Sequence, residues 1–484
     1  MINLLICCTI FSINTTPENL PWDHYTIMPP LGRIKSFATS PFYIFAISDN
    51  YLLIFDKQNL TLGKTIHFDQ VIDLVGYDQQ YDDLWIISAS GIIRFTITSN
   101  NIREYPIVTE VDRFGIGQDY LYLDGTRDYS LNKRTGDVEI IYSFPENLVW
   151  YKKTTGADIK KHTFLTPYYY FDEPKESQAP FHEFPITAVY DDGMYLYVGT
   201  DGYGILKYNN VSWQKQRVVY GPLDSEIREV KKFDNNIYFI SSLGLSYYPT
   251  RTHNWKYQRF THEIADLLPF GNYFIISYGN RISRTSGGMI FSISNFTTNI
   301  LCLSQDEKYM YVGTNSGLFK IANGTKTPVP FGPDRYAVHV VYPMDNEIYV
   351  GGETGFYKYN REYNKWLKEL SFGVKDIVEL KGVLYLLGVN NQIIKYKNIQ
   401  HDSLKSDTTW ILLPYFNIYD IDTDGEVLYC ASYAGINYYE PGTEFYKVIY
   451  NLPRIKYDYV FAVDNNILAV SDKNIYSLPI EYRD

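Results

Sequence analysis

Cysteine is scarce: the 484-residue chain holds four. Cys7 and Cys8 stand in the first ten residues, while Cys302 and Cys430 sit singly in apolar stretches that read as strands. Lone strand cysteines behave as small buried hydrophobes, so neither a disulfide framework nor a CxxC metal site is expected. The eight histidines are dispersed, and none forms HExxH or pairs closely with Cys or carboxylates as zinc would require. A GxSxG nucleophile elbow is also missing. No metal and no cofactor are expected. Positive charge is in deficit, with 44 Lys and Arg against 55 Asp and Glu and a net charge of −11. That excludes a nucleic-acid partner, which wants a basic face. Nothing approaches the roughly eighteen uninterrupted apolar residues of a membrane span.

Repetition is what the chain does have. Residues 194–208 read MYLYVGTDGYGILKY, a strand apolar at odd and even positions, a glycine-bearing turn and a second strand. Such a hairpin belongs to a sheet covered on both faces. It returns as YMYVGTNSGLFKI (309–321), IYVGGETGFYKY (348–359) and LYCASYAGINYY (428–439), with weaker copies at 84–95, 237–248 and 384–396. An apolar strand precedes each copy and another follows. Four strands in roughly 36 to 43 residues is the size of one β-propeller blade. The 48 tyrosines fit this, because a half-buried aromatic with a polar tip suits the surfaces between packed blades.

The expected fold is therefore all-β, a propeller of about 11–12 four-stranded blades. First strands begin near Ile34, Val71, Arg113, Ile186, Ile227, Ile264, Ile300, Val338, Val374, Ile418 and Tyr459. Residues 145–185, with Lys-Lys pairs, three consecutive tyrosines and a Pro-rich run, fit no blade; they read as a degenerate blade, an inserted loop or a seam. Since four to eight blades per ring are usual, two rings are expected, 30–226 and 227–484, with one large ring as the alternative. A Trp opens the outermost strand of several units, at Trp213, Trp255, Trp366 and Trp410. The last unit lacks its fourth strand, and residues 22–28, WDHYTIM, can supply it and close the ring. Ahead of them, Leu4 to Ile13 is an apolar run of signal-peptide length followed by polar residues. It reads as a secretory signal over 1–16, although no Lys or Arg precedes it. A periplasmic, cell-surface or secreted protein is expected, the alternative being a cytoplasmic one.

The aromatic-V-G-T core, glycine turn and apolar-x-x-Tyr strand of these hairpins resemble the two-component-regulator propeller repeat. The resemblance implies a bacterial propeller of the kind found in extracytoplasmic parts of sensor proteins. After the last unit the sequence stops at Asp484 with no membrane helix, kinase or receiver domain, so signalling by the chain itself is not implied. Related repeats occur in propeller lyases and glycosidases, and the repeat alone does not choose an activity.

Motifs that mimic sites read as turns. Gly199-Thr-Asp-Gly-Tyr-Gly204 lacks the Lys-Ser/Thr and helix of a phosphate loop. Asp420-Ile-Asp422-Thr-Asp424-Gly425 opens like a calcium loop but has Ala431 where the bidentate Glu belongs. His182-Glu183 and His262-Glu263 fall between blades and read as solvated loops. Topology sorts the rest: second-to-third-strand hairpins and blade-to-blade connections emerge on one face, which collects Asp201, Tyr203, Glu226, Arg281, Arg335, Tyr336, Glu353 and Tyr433. Loops on a rigid scaffold are where binding usually resides. The expected function is an exported, non-enzymatic propeller binding a protein or glycan through that face. A propeller glycoside hydrolase or lyase, with carboxylates converging over a ring mouth, and a structural surface component are the alternatives.

Overall fold

The structure, a computed structural model, describes residues 24–483 apart from 108–109, 163–164, 166–167, 171–182, 234–235, 250–253, 261–262, 272, 287–288, 323–324, 330–335, 345–346, 364, 397–408, 412–416, 444 and 473. The expected signal segment and Trp22 lie outside the described residues.

The described chain is all-β and forms eleven antiparallel sheets, nine of four strands and two of five. In chain order, sheets 1 to 10 span 34–67, 72–106, 111–152, 168–218, 227–258, 266–295, 300–329, 338–370, 374–411 and 418–448. Sheet 11 takes Tyr459–Val463, Asn466–Val470 and Ile475–Pro479 and borrows Thr26–Met28 as its fourth strand. That strand runs antiparallel, pairing Thr26 with Ser477 and Met28 with Ile475. The five-stranded cases are sheets 3 and 4, which take up part of the irregular region. Val149–Lys152 pairs along the first strand of sheet 3, and Tyr168–Tyr170 pairs with residues 183–185 of sheet 4. Between them lies the short helix Gly156–Lys160, whose N-cap Thr155 and Asp158 form a reciprocal capping box.

Apolar clusters show which sheets pack face to face. One cluster joins sheets 1, 2 and 3, with Trp85 and Phe114 fully buried. Another joins sheet 4 to sheet 1 through Ala188, Tyr197 and Ile205 against Ile34, Phe37 and Phe55. Sheets 5 to 11 are linked in succession. Sheet 11 in turn packs on sheet 5, where Met28, Phe461 and Ile475 meet Val230, Phe239 and Trp255. Tyrosines fill these seams: Tyr197, Tyr349, Tyr385 and Tyr429 are wholly buried.

The repeated glycine explains itself here. A Cβ on Gly313 would stand 2.7 Å from the Val338 carbonyl oxygen of the next sheet, and one on Gly351 would stand 2.6 Å from that of Val374. The V-G-T core thus lets the following first strand approach. Gly199 of sheet 4 meets Ile34 of sheet 1 at the equivalent place.

A second repeated device is a register shift at the start of the first strand. It occurs in nine sheets, in eight of them between the first and third residues, as at Ile34/Ser36, Ile227/Glu229, Val374/Asp376 and Ile418/Asp420, and in sheet 4 at Ile186/Ala188. Such a bulge re-aims a side chain. Here it turns the third residue toward the neighbouring sheet, where Ser36 accepts the Val75 N–H and Asp420 accepts the Val460 N–H at 2.9 Å. Thr154 accepts the Val189 N–H in the same way, joining the residues after Val149–Lys152 to sheet 4.

Candidate functional site

In sheets 5 to 11 the bulged position is rich in acid. Glu229, Asp376 and Asp420 occupy it, and Asp266 plays its part in sheet 6 by accepting the Leu303 N–H at 2.8 Å. These carboxylates face a common space with Lys231, whose ammonium lies 3.6 Å from both Glu229 and Asp266. Burial works against the charge on Lys231, but Asp266, Glu229 and Asp376 outweigh it and raise its pKa. Lys232 reaches Asp422 at 2.6 Å, so the first strands of sheets 5 and 10 converge.

Burial pushes all five carboxyls above the ordinary range, Glu229 to about 7 and Asp376 to about 6. The five differ in what holds them. Asp266, Asp420 and Asp422 each accept a backbone N–H from a neighbouring sheet, which is work enough to account for them. Among the described residues Asp376 accepts its own neighbour's N–H alone, from Ile377, and Glu229 touches Lys231. These two hold raised pKa values without a neighbouring sheet's N–H, so they are partly protonated near neutrality. Each is the third residue of its first strand, so it stands about 7 Å in from the blade-to-blade connections.

This cluster should set a pH dependence. Glu229 and Asp376 hold protons in the fold that the unfolded chain releases at ordinary carboxylate pKa values, so stability falls as pH rises from about 4.5 to about 7. The thermal midpoint is expected to drop between about pH 5 and pH 7.5. The Glu229→Gln/Asp376→Asn variant should flatten that slope; an unchanged slope in thermal melts rejects the assignment.

The eight loop-face residues are placed as follows. Tyr433 (67% exposed) and the exposed Glu353 lie in hairpins beside the first strands of sheets 10 and 8. Arg281 is exposed where its hairpin begins, and Glu226 is exposed in the link from sheet 4 to sheet 5. Tyr336 is half-buried against the cluster of sheets 7 and 8. Asp201 is exposed and bridges Arg33. Tyr203 is buried, with Phe184 at 5.0 Å and the Arg217 guanidinium 3.5 Å from its ring centre. Arg335 lies outside the described residues. Asp201 and Tyr203 belong to sheet 4, whereas Arg281, Glu353 and Tyr433 belong to sheets 6, 8 and 10.

The turn motifs are turns. Asp424 accepts the Glu426 and Val427 N–H groups and the Tyr429 hydroxyl, while Asp420 and Asp422 lie on the preceding strand. Among the described residues no group of three His, Cys, Asp or Glu could hold a metal ion. His182 and His262 lie outside the described residues, and Glu263 pairs with Arg228 at 2.7 Å.

The acid positions were missed by a reading that looked for binding in loops. Their signal is present as an apolar-x-acid triplet at the start of four first strands: Ile227-Arg-Glu229, Ile264-Ala-Asp266, Val374-Lys-Asp376 and Ile418-Tyr-Asp420. A carboxylate recurring at one place in strands buried on both faces asks for a partner.

No known family matches the chain, and no curated protein does. Among solved structures it is similar to the extracellular domain of a putative hybrid two-component system from B. thetaiotaomicron, at 11% identity over 92% of this chain and 70% of that one (TM-score 0.41). PorZ, a surface component of the type-IX secretion system of Porphyromonas gingivalis, matches at 12% identity over 92% of this chain and 79% of that one (TM-score 0.34). The WD40 β-propeller domain of Doa1 matches at 13% identity over 52% of this chain and 92% of that one (TM-score 0.41).

Proposed function

We propose that the chain is an exported, non-enzymatic β-propeller of two rings, sheets 1 to 4 and sheets 5 to 11, that binds a protein or glycan through the loop face nearest Glu229 and Asp376. The two-ring division is supported by the apolar clusters that join sheet 4 to sheet 1 and sheet 11 to sheet 5; sheets 4 and 5 also touch, with Arg217 over Tyr257 and Arg259 over Phe184. Export is supported by the apolar run Leu4 to Ile13. The observation that carries the binding reading is the pair of carboxyls, Glu229 and Asp376, that no neighbouring sheet's backbone ties down. A hydrolase or lyase is the second reading, favoured by a Glu229 pKa of about 7, which suits a general acid.

The full chain should be screened on a glycan array and on an array of Lys- and Arg-containing peptides. A ligand whose affinity falls about tenfold or more in Glu229→Gln/Asp376→Asn supports binding at this mouth. Ligands indifferent to both substitutions overturn it. Cleavage of a bound glycan by the parent chain, lost in Glu229→Gln, moves the assignment to the enzyme reading.

A further inference from the structure

A separate cavity of about 550 Å³ opens among sheets 1 to 4. That volume lies within the range of small-molecule sites, about 300 to 1,000 Å³. It sits on the face opposite the one considered so far. Each of the four sheets gives it the turn between its first and second strands, at Ser40, Gln79, Gln118 and Asp192, and the added strand Val149–Lys152 gives it Tyr151.

The floor is aromatic and fixed. The buried Tyr151 donates its hydroxyl to the Tyr77 carbonyl at 3.2 Å and lies parallel to Tyr190, with ring centres 6.4 Å apart. Tyr77 is half-buried, stacks on Phe45 and donates to Asp82 at 2.9 Å.

The charges lining the cavity are already matched. Lys57 holds Asp192 at 2.9 Å, and Asp78 is held by Lys133 at 2.6 Å. An anion would find no free cation among the lining residues, because Lys57 is engaged, and a cation would find no free carboxylate. What the rim offers is amide. Gln79, Gln80 and Gln118 are exposed there, and their side chains make no hydrogen bond to the described residues. A glutamine amide donates and accepts at once, which is what vicinal hydroxyls require. The Tyr151 ring, packed between Phe114 and Tyr190, gives the floor rigidity and not a stacking face.

We propose that this cavity binds a short, uncharged oligosaccharide, with Gln79, Gln80 and Gln118 reading its hydroxyls and Tyr77 and Tyr151 forming its floor. This site is independent of the acid-lined mouth.

The full chain is probed with an array of neutral gluco-, manno-, galacto- and xylo-oligosaccharides alongside sulfated and uronic-acid glycans. Hits are then measured by calorimetry on the parent, on Gln79→Ala/Gln118→Ala and on Glu229→Gln/Asp376→Asn. A neutral oligosaccharide is expected to bind, to weaken about tenfold or more in the glutamine variant at unchanged melting temperature, and to be unaffected by the acid variant. Charged glycans bound in preference, no neutral glycan bound, or a hit insensitive to the glutamine variant overturns the proposal. A hit weakened only by the acid variant assigns the glycan to the other mouth and equally overturns it.

Discussion

Replacing His24–Met28 with a flexible Gly/Ser stretch of equal length is expected to leave most of the protein aggregated and to lower the melting temperature of whatever stays in solution. This short strand serves two seams. Ile27 belongs to the apolar cluster between sheets 10 and 11, and Met28 to the one between sheets 11 and 5, at 9% and 7% exposure. Removing the two buried side chains costs about 3 to 6 kcal/mol, at ~1.5 to 3 each. His24 stacking on Tyr482 at 4.2 Å is lost with them. The larger consequence is the edge: Ile475–Pro479 would present an unpaired row of N–H and C=O groups, a template for another chain. The conservative pair Ile27→Val/Met28→Leu keeps strand and burial and should behave as the parent. Equal solubility and melting temperature in the Gly/Ser variant would show that the pairing contributes little.

That this strand could be assigned from sequence follows from counting: a last unit with three strands demands a fourth. The periodic part of the fold was legible for the same reason. A first strand expected near Ile34, Ile227, Ile300, Val338, Val374, Ile418 or Tyr459 begins there, because its position is fixed by the apolar hairpin that follows. The starts at Val71, Arg113 and Ile264 differ by one or two residues from Ile72, Val111 and Asp266, and the strand expected near Ile186 begins three residues earlier, at Glu183. Trp255 directly precedes its outermost strand and Trp366 and Trp410 lie within theirs, but Trp213 occupies the preceding turn with φ +56°.

Residues 145–185 resisted because nothing in them repeats. Their described part adds a strand to each of two sheets and a capped helix between them, arrangements set by the neighbouring sheets and not by a local pattern. The candidate site was least legible. Sorting residues by loop gives the face but not the direction of a side chain, and so Tyr203, in a hairpin on that face, turns inward between Phe184 and Arg217. Glu229, Asp266, Asp376, Asp420 and Asp422 lie on strands, where a loop-centred reading does not look.

Lys133→Ala is expected to destabilise sheets 1 to 4 by about 3 to 5 kcal/mol, the usual cost of stranding one member of a buried ion pair. The pair sits in an unusual place. Asp78 and Asp83 face each other in register at the start of the hairpin in sheet 2, both almost wholly buried. Two adjacent buried carboxylates are tolerated because each has its own cation. Lys133 of sheet 3 reaches Asp78 at 2.6 Å, and Arg94 holds Asp83 through Nε at 2.6 Å. The network is closed by Arg94 donating to the Lys133 carbonyl at 2.9 Å and by Trp85 Nε1 donating to Asp78 at 3.3 Å. Removing the Lys133 ammonium leaves Asp78 almost wholly buried beside a second carboxylate without its cation. Asp78→Asn/Lys133→Met removes both charges while keeping an acceptor for Trp85, and should recover most of the loss. Denaturant unfolding followed by tryptophan fluorescence measures both variants; Trp85 reports the sheets concerned. If sheets 1 to 4 form their own ring, the loss falls on one transition and leaves the unfolding of sheets 5 to 11 where it was. A single transition shifted as a whole would argue for one cooperative ring, and a Lys133→Ala variant as stable as the parent would show that water reaches Asp78.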